Sequence, residues 1–242
     1  MSVLRRAAVL GAGTMGAQIA AHLANAGLDV LLLDVTRDAA AAGVKRLRTM
    51  RPDPCFVPEV LARISTGGFD DAKPLRDADW VIEAVVESLE IKQALLQKLA
   101  PMIGPTAIVS SNTSGIPLAA IASALPADLR PRWLGTHFFN PPRYLHLLEL
   151  IPTPETERAV LDELAAFADV RLGKGVVVAK DRPGSIANRI GMFGAIRAIE
   201  LVASGQFTIE EIDALTGPAL GRPRSATFRT MDIAGIDVMA HV

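Results

Sequence analysis

The sequence predicts an α/β protein with a doubly wound, mainly parallel β-sheet, followed by a shorter all-α region. Short aliphatic runs, of the kind that form parallel strands buried on both faces, alternate with segments of helical periodicity along most of the chain. Near Arg182 the pattern changes, and only helical patterns follow. With 242 residues, half of them hydrophobic, the chain can bury a sizeable core.

The first elements are predicted in close succession. Residues 3–10 form an aliphatic strand, residues 14–26 carry apolar side chains at helical spacing, and residues 30–33 form a second strand. Gly27 stands where a left-handed cap would end the first helix. An alanine-rich helix is predicted next, at residues 38–50.

The following segment is predicted to be the least regular part of the chain. Prolines interrupt residues 51–58, a short helix follows, and residues 65–69 are predicted to form a turn. Strands and helices then alternate again, which supports the doubly wound sheet. The further predicted strands are residues 80–85, 107–110, 133–138, 147–151 and 175–178, and the further predicted helices are residues 91–99 and 155–168.

Two domains are predicted, a sheet-containing domain at residues 1–182 and the first part of a helical domain at residues 183–242. The helical domain opens with a long, mostly apolar helix at residues 185–204. Thr208 and Glu211 have the spacing of a capping box, which predicts the start of another helix.

The end of the chain also carries a signal. Residues 233–242 have the pattern of a helix, but neither a cap nor a polar tail follows it. We therefore expect the chain to be a fragment of a longer protein.

Charge and composition disfavour several classes of function. The 25 basic and 26 acidic residues are spread along the chain, so no basic surface for nucleic acid is expected. The single cysteine, Cys55, cannot form an internal disulfide and lacks the paired spacing of a metal site, which favours a reducing cytoplasm and no metal. Residues 99–127 are uncharged, but prolines and polar residues interrupt any membrane-spanning helix there.

A glycine pattern connects the first predicted strand and helix. In GxGxxG, Gly11 permits a tight turn, Gly13 lets the backbone approach a pyrophosphate, and Gly16 allows close packing of helix on strand. The helix that begins at Thr14 and Met15 would bind the phosphate through its free N–H groups. The pattern alone is also compatible with an ordinary turn.

Asp34 ends the second predicted strand. A carboxylate at this place can accept both ribose hydroxyl hydrogens of an adenosine and would repel a 2′-phosphate. A helix N-cap or a solvated loop acid is the alternative interpretation. Together with the glycines, Asp34 predicts a Rossmann domain that binds NAD rather than NADP.

Two residues are candidates for acid–base chemistry. His137 follows an apolar strand and precedes two phenylalanines, an asparagine and two prolines, so a rigid turn should hold it where it could accept a proton. A structural histidine is the alternative. Glu149 lies in an aliphatic run, where an unpaired carboxylate is costly to bury. Glu149 would orient His137 if their strands are neighbours, or it would pair with a base such as Arg143.

Several segments resemble the 3-hydroxyacyl-CoA dehydrogenase family, in matching order and spacing along nearly the whole chain. They are GAGTMGAQIA from Gly11, VIEAVVESLEIK from Val81, SSNTS from Ser110, GTHFFNPPRYLHLLELIPT from Gly135 and PGSIANRI from Pro183. The resemblance is greatest to the dehydrogenase part of multifunctional proteins that also carry an enoyl-CoA hydratase. It implies an NAD-binding domain followed by the start of a helical domain.

The resemblance also implies roles for individual residues. His137 would be the general base, Glu149 would orient it, and Ser114 and Asn188 would hydrogen-bond the substrate oxygens. Asn140 is a further site candidate. Besides the glycine turn, the resemblance implies NAD contacts from Asp34, Ala84, Glu87, Lys92 and Asn112.

Each polar candidate has a simpler interpretation. Ser114 could be a turn hydroxyl and Asn188 a buried polar group of a helix. Without the resemblance, Glu87 would be taken for a loop acid and Lys92 for a solvated helix residue.

The activity that the resemblance implies is NAD-dependent oxidation of (S)-3-hydroxyacyl-CoA to 3-ketoacyl-CoA in fatty acid β-oxidation. An acyl-CoA is then the substrate, and the helical domain would pair two subunits into a homodimer. Residues 51–69 are more compact than the helical excursion that family members carry there. A related dehydrogenase acting on a sugar acid or carnitine, and a non-catalytic crystallin-like protein, are the alternatives.

Overall fold

The computed structural model describes residues 4–236 of the chain. The chain forms two compact units, Met1–Asp181 and Arg182–Val242. The last described helix ends at Ala234. Most of the helix predicted at residues 233–242 therefore lies outside the described residues.

The first unit contains a β-sheet that is mainly parallel. Its strands are β1 (Arg6–Leu10), β2 (Asp29–Asp34), β3 (Ile64–Gly68), β4 (Trp80–Glu83), β5 (Ile108–Ser111), β6 (Trp133–Phe138), β7 (Leu147–Pro152) and β8 (Gly175–Val178). The strand order is β3-β2-β1-β4-β5-β6-β7-β8, and of these pairs β6 with β7 is the antiparallel one. The predicted fold class, with its mainly parallel sheet, is confirmed.

Helices cover both faces of this sheet. Buried side chains of the first, second and fifth helices join one hydrophobic core, and those of the third and fourth join a second core on the other face. This two-sided cover explains why successive apolar residues are buried in the strand at residues 6–10, whichever face of the sheet they point to. The helices are α1 (Thr14–Asn25), α2 (Arg37–Leu47), α3 (Leu89–Leu99), α4 (Leu118–Ala122) and α5 (Arg158–Leu172).

One prediction in the irregular segment is wrong. Residues 65–69 were expected to form a turn, but most of them belong to β3, which pairs in parallel with β2. One of its glycines serves close packing, because a Cβ on Gly67 would lie 2.8 Å from a Leu33 methyl group. Pairing with a strand that is distant in sequence overrides the local signal.

The strand order places the site. From β1 the chain moves outward through β2 and β3, and then returns to the other side of β1 as β4. Such a reversal opens a crevice at the carboxyl ends of the two central strands, where open α/β sheets bind ligands. The glycine turn follows β1 at this edge, and the parallel strands β4, β5 and β6 end there too.

The second unit is helical where it is described. It contains α6 (Ala187–Ala203), α7 (Ile209–Thr216) and α8 (Phe228–Ala234). The capping box predicted at Thr208 and Glu211 is present, with both of its reciprocal hydrogen bonds. None of the helices formed by residues 4–236 combines the length and the apolar character that crossing a membrane requires.

Candidate active site

The glycine turn meets different steric requirements at each glycine. Gly11 has a φ of +104°, and a Cβ there would lie 2.7 Å from the carbonyl oxygen of Ala84. A Cβ on Gly16 would lie 1.9 Å from the carbonyl oxygen of Gly11, so α1 could not pack on the turn. Gly13 is exposed and has open space around its Cα. Only the middle glycine is thus open to an incoming ligand.

The turn leads directly into the N-terminus of α1. Its N-cap is Gly13, which offers no side-chain cap, and the first turn has no acidic residue. The first N–H groups of the helix, starting at Thr14 and Met15, are therefore available to an anion, and the helix dipole favours negative charge there. These features fit the pyrophosphate of a dinucleotide.

Asp34 is the last residue of β2, and its carboxylate reaches back to the glycine turn. Its Oδ2 accepts a hydrogen bond from the N–H of Ala12 at 2.6 Å, and its Oδ1 accepts from the N–H of Val35 at 2.7 Å. The N-cap of α2 is Thr36 and not Asp34. A carboxylate has about four acceptor positions, so two backbone donors leave capacity for ribose hydroxyls.

A buried ion network lies beneath the loop that follows β4. Glu83 is completely buried, and its Oε1 lies 2.8 Å from Nζ of Lys92, whose side chain is 1% exposed. Oε2 of Glu83 accepts from the hydroxyl of Ser111 on β5, and Val85 donates its N–H to Oε1. The simpler interpretation of Lys92 as a solvated helix residue is wrong.

Glu87 extends this network to the surface. Its Oε2 lies 3.2 Å from Nζ of Lys92, and its Oε1 accepts hydrogen bonds from Thr113, Ser114 and Gly115. Burial alone would raise the pKa of Glu87, but the hydrogen bond from Thr113 and the charge of Lys92, with the two backbone N–H groups, lower it. Glu87 therefore stays ionised and organises the loop after β5.

The loop after β5 carries Asn112 and Ser114. Oδ1 of Asn112 accepts a hydrogen bond at 2.9 Å from the N–H of Phe138, the residue next to His137. The backbone N–H of Ser114 is held by Glu87 at 3.0 Å. Both residues thus lie at the same edge of the sheet as the glycine turn and the end of β6.

His137 and Glu149 face each other across β6 and β7. They are register partners in the antiparallel pair, and Nδ1 of His137 lies 2.8 Å from Oε2 of Glu149. Both side chains are buried. Arg143, the alternative partner of Glu149, donates instead to the carbonyl oxygens of Asp53 and Cys55.

This pairing selects one tautomer of the neutral imidazole. An ionised carboxylate accepts but does not donate, so the neutral ring beside it carries its hydrogen on Nδ1 and keeps a lone pair on Nε2. The ring of Phe139 packs against the imidazole with 4.4 Å between centroids. The arrangement can take up a proton at Nε2 and stabilise the resulting positive charge through Glu149.

The remaining candidates have different settings. Oδ1 of Asn140 accepts a hydrogen bond at 3.0 Å from Nε2 of the buried Gln18, which links α1 to the loop after β6. Asn188 lies in the first turn of α6, in the second unit, and is partly exposed. No group of His, Cys, Asp and Glu within residues 4–236 has the arrangement of a metal site.

Sequence reasoning missed three residues of this region. Glu83 had a usable signal, because a carboxylate inside an aliphatic strand needs a buried partner. Gln18 likewise stands among apolar residues of α1. Arg46, which donates to the carbonyl oxygen of Ala12, had no signal in the sequence, because its contact depends on how α2 packs on the turn.

Two family models match the chain. The model of the NAD-binding domain of 3-hydroxyacyl-CoA dehydrogenase matches residues 6–182, and the model of the C-terminal domain of that enzyme matches residues 184–242. The fold and the site define an NAD-dependent oxidoreductase. The chain belongs to the 3-hydroxyacyl-CoA dehydrogenase family, as the motifs predicted, and its cofactor is NAD.

Curated relatives agree with this assignment. A Deinococcus radiodurans protein named "Probable 3-hydroxyacyl-CoA dehydrogenase" is 50% identical over 99% of the chain, which spans 71% of that relative. A Bacillus subtilis protein of the same name is 44% identical over 99% of the chain, which spans only 33% of that relative. The human mitochondrial hydroxyacyl-coenzyme A dehydrogenase is 33% identical over 97% of the chain and is covered over 77% of its length.

Solved structures show the same similarity. FadB2 of Mycobacterium tuberculosis has a TM-score of 0.89 and 31% identity, covering 99% of this chain and 86% of that one. The (S)-3-hydroxybutyryl-CoA dehydrogenase of Ralstonia eutropha has a TM-score of 0.83 and 29% identity. The match covers 98% of this chain and 85% of that one. The family supports NAD-dependent oxidation of hydroxyacyl-CoA substrates.

Proposed function

We propose that this protein oxidises (S)-3-hydroxyacyl-CoA thioesters to 3-ketoacyl-CoA thioesters, as a step of fatty acid β-oxidation. The observation that carries the proposal is the buried pair of His137 and Glu149, 2.8 Å apart at the sheet edge that also holds the glycine turn. Membership of the family supports the substrate class.

The residues around the turn fit the cofactor. Gly13 and the start of α1 would hold the pyrophosphate, and Asp34 would hold the adenosine ribose. Asn112 and Glu87 would lie towards the nicotinamide end of the cofactor. Lys92 acts on this site through Glu87, because its ammonium is buried between Glu83 and Glu87. When bound, NAD supplies the acceptor for the hydride that leaves C3 of the substrate.

His137 supplies the proton chemistry. Nε2 takes the proton of the 3-hydroxyl while C3 loses its hydrogen with both bonding electrons, and the C–O bond becomes a carbonyl. The imidazolium that forms is stabilised by the carboxylate of Glu149. In the reverse reduction, protonated His137 returns the proton to the oxygen.

We further propose that Ser114 and Asn188 hydrogen-bond the oxygen at C3. Ser114 is well suited because Glu87 holds its backbone N–H, which limits the positions its hydroxyl can reach. For Asn188 the proposal is supported by its place in the motif PGSIANRI, within the match to the C-terminal domain of the family. It is tested by Asn188→Ala, which should raise the KM for acyl-CoA while NADH binding is unchanged.

The test of the proposed function follows NADH absorbance with acetoacetyl-CoA and longer 3-ketoacyl-CoAs, in parallel with free 3-keto acids. We expect turnover with the thioesters and much slower turnover with the free acids. Faster turnover with the free acids would overturn the CoA assignment. NADH binding without any hydride transfer would favour a non-catalytic relative.

A dehydrogenase with a non-CoA substrate is the second candidate, because two structural relatives carry other names. A diketoreductase shares 27% identity with a TM-score of 0.86, and an NAD-dependent dehydrogenase of a pyridine carboxylic acid shares 28% with a TM-score of 0.74. The parallel assay with free acids distinguishes this candidate.

We also propose a homodimer formed through the helical second unit. Apolar side chains of α6, including Ile190, Phe193 and Ile196, are exposed to solvent and support such an interface. Light scattering after size-exclusion chromatography would show the oligomeric state. The lone Cys55 supports a reducing compartment such as the cytoplasm.

A further inference from the structure

We infer that helix α2, through Arg46 and Gly43, positions the glycine turn and thereby sets the affinity for NAD. The inference rests on NAD as the cofactor and not on the identity of the substrate. Neither residue belongs to the GxGxxG pattern or to the ribose-binding strand end. Both act on one residue of the turn, Ala12.

Ala12 is buried and is held from three sides. Its N–H donates to Oδ2 of Asp34 at 2.6 Å. Its carbonyl oxygen accepts from Nη2 of Arg46 at 2.5 Å, a short hydrogen bond from a charged donor. Its Cβ packs against the backbone of α2 at Gly43. A Cβ added to Gly43 would lie 2.8 Å from the Cβ of Ala12.

The hydrogen bond from Arg46 has a consequence for the neighbouring amide. The carbonyl of Ala12 and the N–H of Gly13 belong to one planar, trans peptide group, so they point in opposite directions. By fixing the carbonyl on the side of α2, Arg46 fixes the N–H of Gly13 on the other side. Gly13 is the exposed glycine from which α1 begins, where the pyrophosphate would lie.

Charge acts in the same direction. A cation bound to the carbonyl polarises the peptide group, which makes the N–H of Gly13 a better donor to an anion. The guanidinium also adds positive charge behind the turn, whereas Asp34 adds negative charge at the N–H of Ala12. Arg46 therefore offsets the repulsion between Asp34 and a bound pyrophosphate.

Gly43 is the steric part of this arrangement. A Cβ at this position would also lie 2.8 Å from the carbonyl oxygen of Ala12, so any larger residue must push α2 away from the turn. Replacing glycine by alanine inside a helix ordinarily stabilises it. A loss of NADH affinity in Gly43→Ala would therefore come from the displaced contact and not from a weaker helix.

The experiment compares NADH binding and kinetics of Arg46→Met with those of Arg48→Met. Arg48 is exposed at the C-terminal end of the same helix, so the control removes the same charge. We expect the Kd for NADH, from nicotinamide fluorescence, to rise about ten-fold in Arg46→Met and less than about two-fold in Arg48→Met. The kcat at saturating NAD should stay within about two-fold of wild type in both variants.

Two results would overturn the inference. One is a Kd of Arg46→Met equal to that of the Arg48→Met control. The other is a fall in kcat at saturating NAD with an unchanged Kd. Gly43→Ala gives a second reading, because it should raise the Kd by moving α2 away from the turn without removing the charge of Arg46. Since NADH binding needs no acyl-CoA, these results are separate from any failure of the proposed reaction.

Discussion

Lys92 and Glu83 form an ion pair that is shielded from water on both sides, with 2.8 Å between Nζ and Oε1. The same helix carries an exposed pair, in which Lys98 lies 2.5 Å from Asp70. Two lysines of α3 therefore make similar contacts in opposite environments. Their comparison separates the effect of burial from the effect of the contact itself.

Removing Lys92 should destabilise the protein strongly, because Glu83 would remain as a buried and uncompensated charge. We expect Lys92→Met to lower the free energy of unfolding by about 3–5 kcal/mol. Lys98→Met should cost much less, because its partner Asp70 is solvated. Urea denaturation measures both. Equal losses in the two variants would show that the buried pair has no special role. Adding Glu83→Gln to Lys92→Met should restore part of the lost stability, because it removes the uncompensated charge.

Replacing the proposed general base should slow turnover strongly without preventing cofactor binding. We expect His137→Ala to lower kcat by roughly 10²-fold or more while the Kd for NADH changes little. His146→Ala is the matched control, because His146 is exposed and its Nδ1 interacts with the carbonyl of Gly173. Near-normal turnover of His137→Ala with acetoacetyl-CoA would end the assignment.

If Glu149 acts through His137, the effect of replacing Glu149 on kcat should depend on the presence of His137. Glu149→Gln keeps the size of the side chain but removes the charge that stabilises the imidazolium, so kcat should fall at least about ten-fold. In a His137→Ala background the same change should have almost no further effect. Steady-state kinetics of the two single variants and the double variant test this, with Glu155→Gln, an exposed acid, as control. Additive losses would contradict the proposed coupling.

We expect Lys174 to make the free energy of unfolding rise at alkaline pH. Its buried ammonium donates to the carbonyls of Pro142 and Leu145, and burial lowers its pKa to about 8 from 10.5. Between these values the unfolded chain holds a proton that the folded chain lacks, so the free energy of unfolding rises with pH. Below pH 8 both states are protonated and the penalty of burying the charge is complete.

Measuring the difference between wild type and Lys174→Met isolates this contribution. Burial raises the pKa of Cys55, which acts in the opposite direction, but Cys55 is present in both proteins. Burial lowers the pKa of His22, beside Lys174, to about 4, so His22 stays neutral throughout this range. Urea denaturation at pH 7.5 and 10 should show that the free energy of unfolding rises more in the wild type than in Lys174→Met. The same change with pH in both proteins would refute the contribution of Lys174.

Local signals made the first part of the chain predictable. The β1–α1–β2 unit was predicted to within a few residues, because its aliphatic runs, its glycines and the cap at Gly27 agree with one another. Local signals fail at β3, which they predict as a turn, because its conformation depends on pairing with β2 and not on its own residues. The other strands also pair with distant partners, but their apolar runs mark them as strands in the sequence.

The candidate site divides in the same way. The polar residues His137 and Glu149 stand out because each lies in or beside an apolar run, but their register could not be read from the loop between them. The contacts of Arg46 and Glu83 depend on how α2 and α3 pack, which no short pattern records. The partners of Arg46 and Glu83 can therefore be identified only from the structure.

The antiparallel pairing of β6 and β7 affects how this site can change in evolution. Because the ladder holds His137 opposite Glu149, residues added to the connection at 139–146 leave that pair in place. One residue added inside β7 before Glu149 would instead turn its carboxylate to the other face of the sheet. The connecting loop can therefore diversify in length and sequence while the pairing of His137 with Glu149 is inherited unchanged.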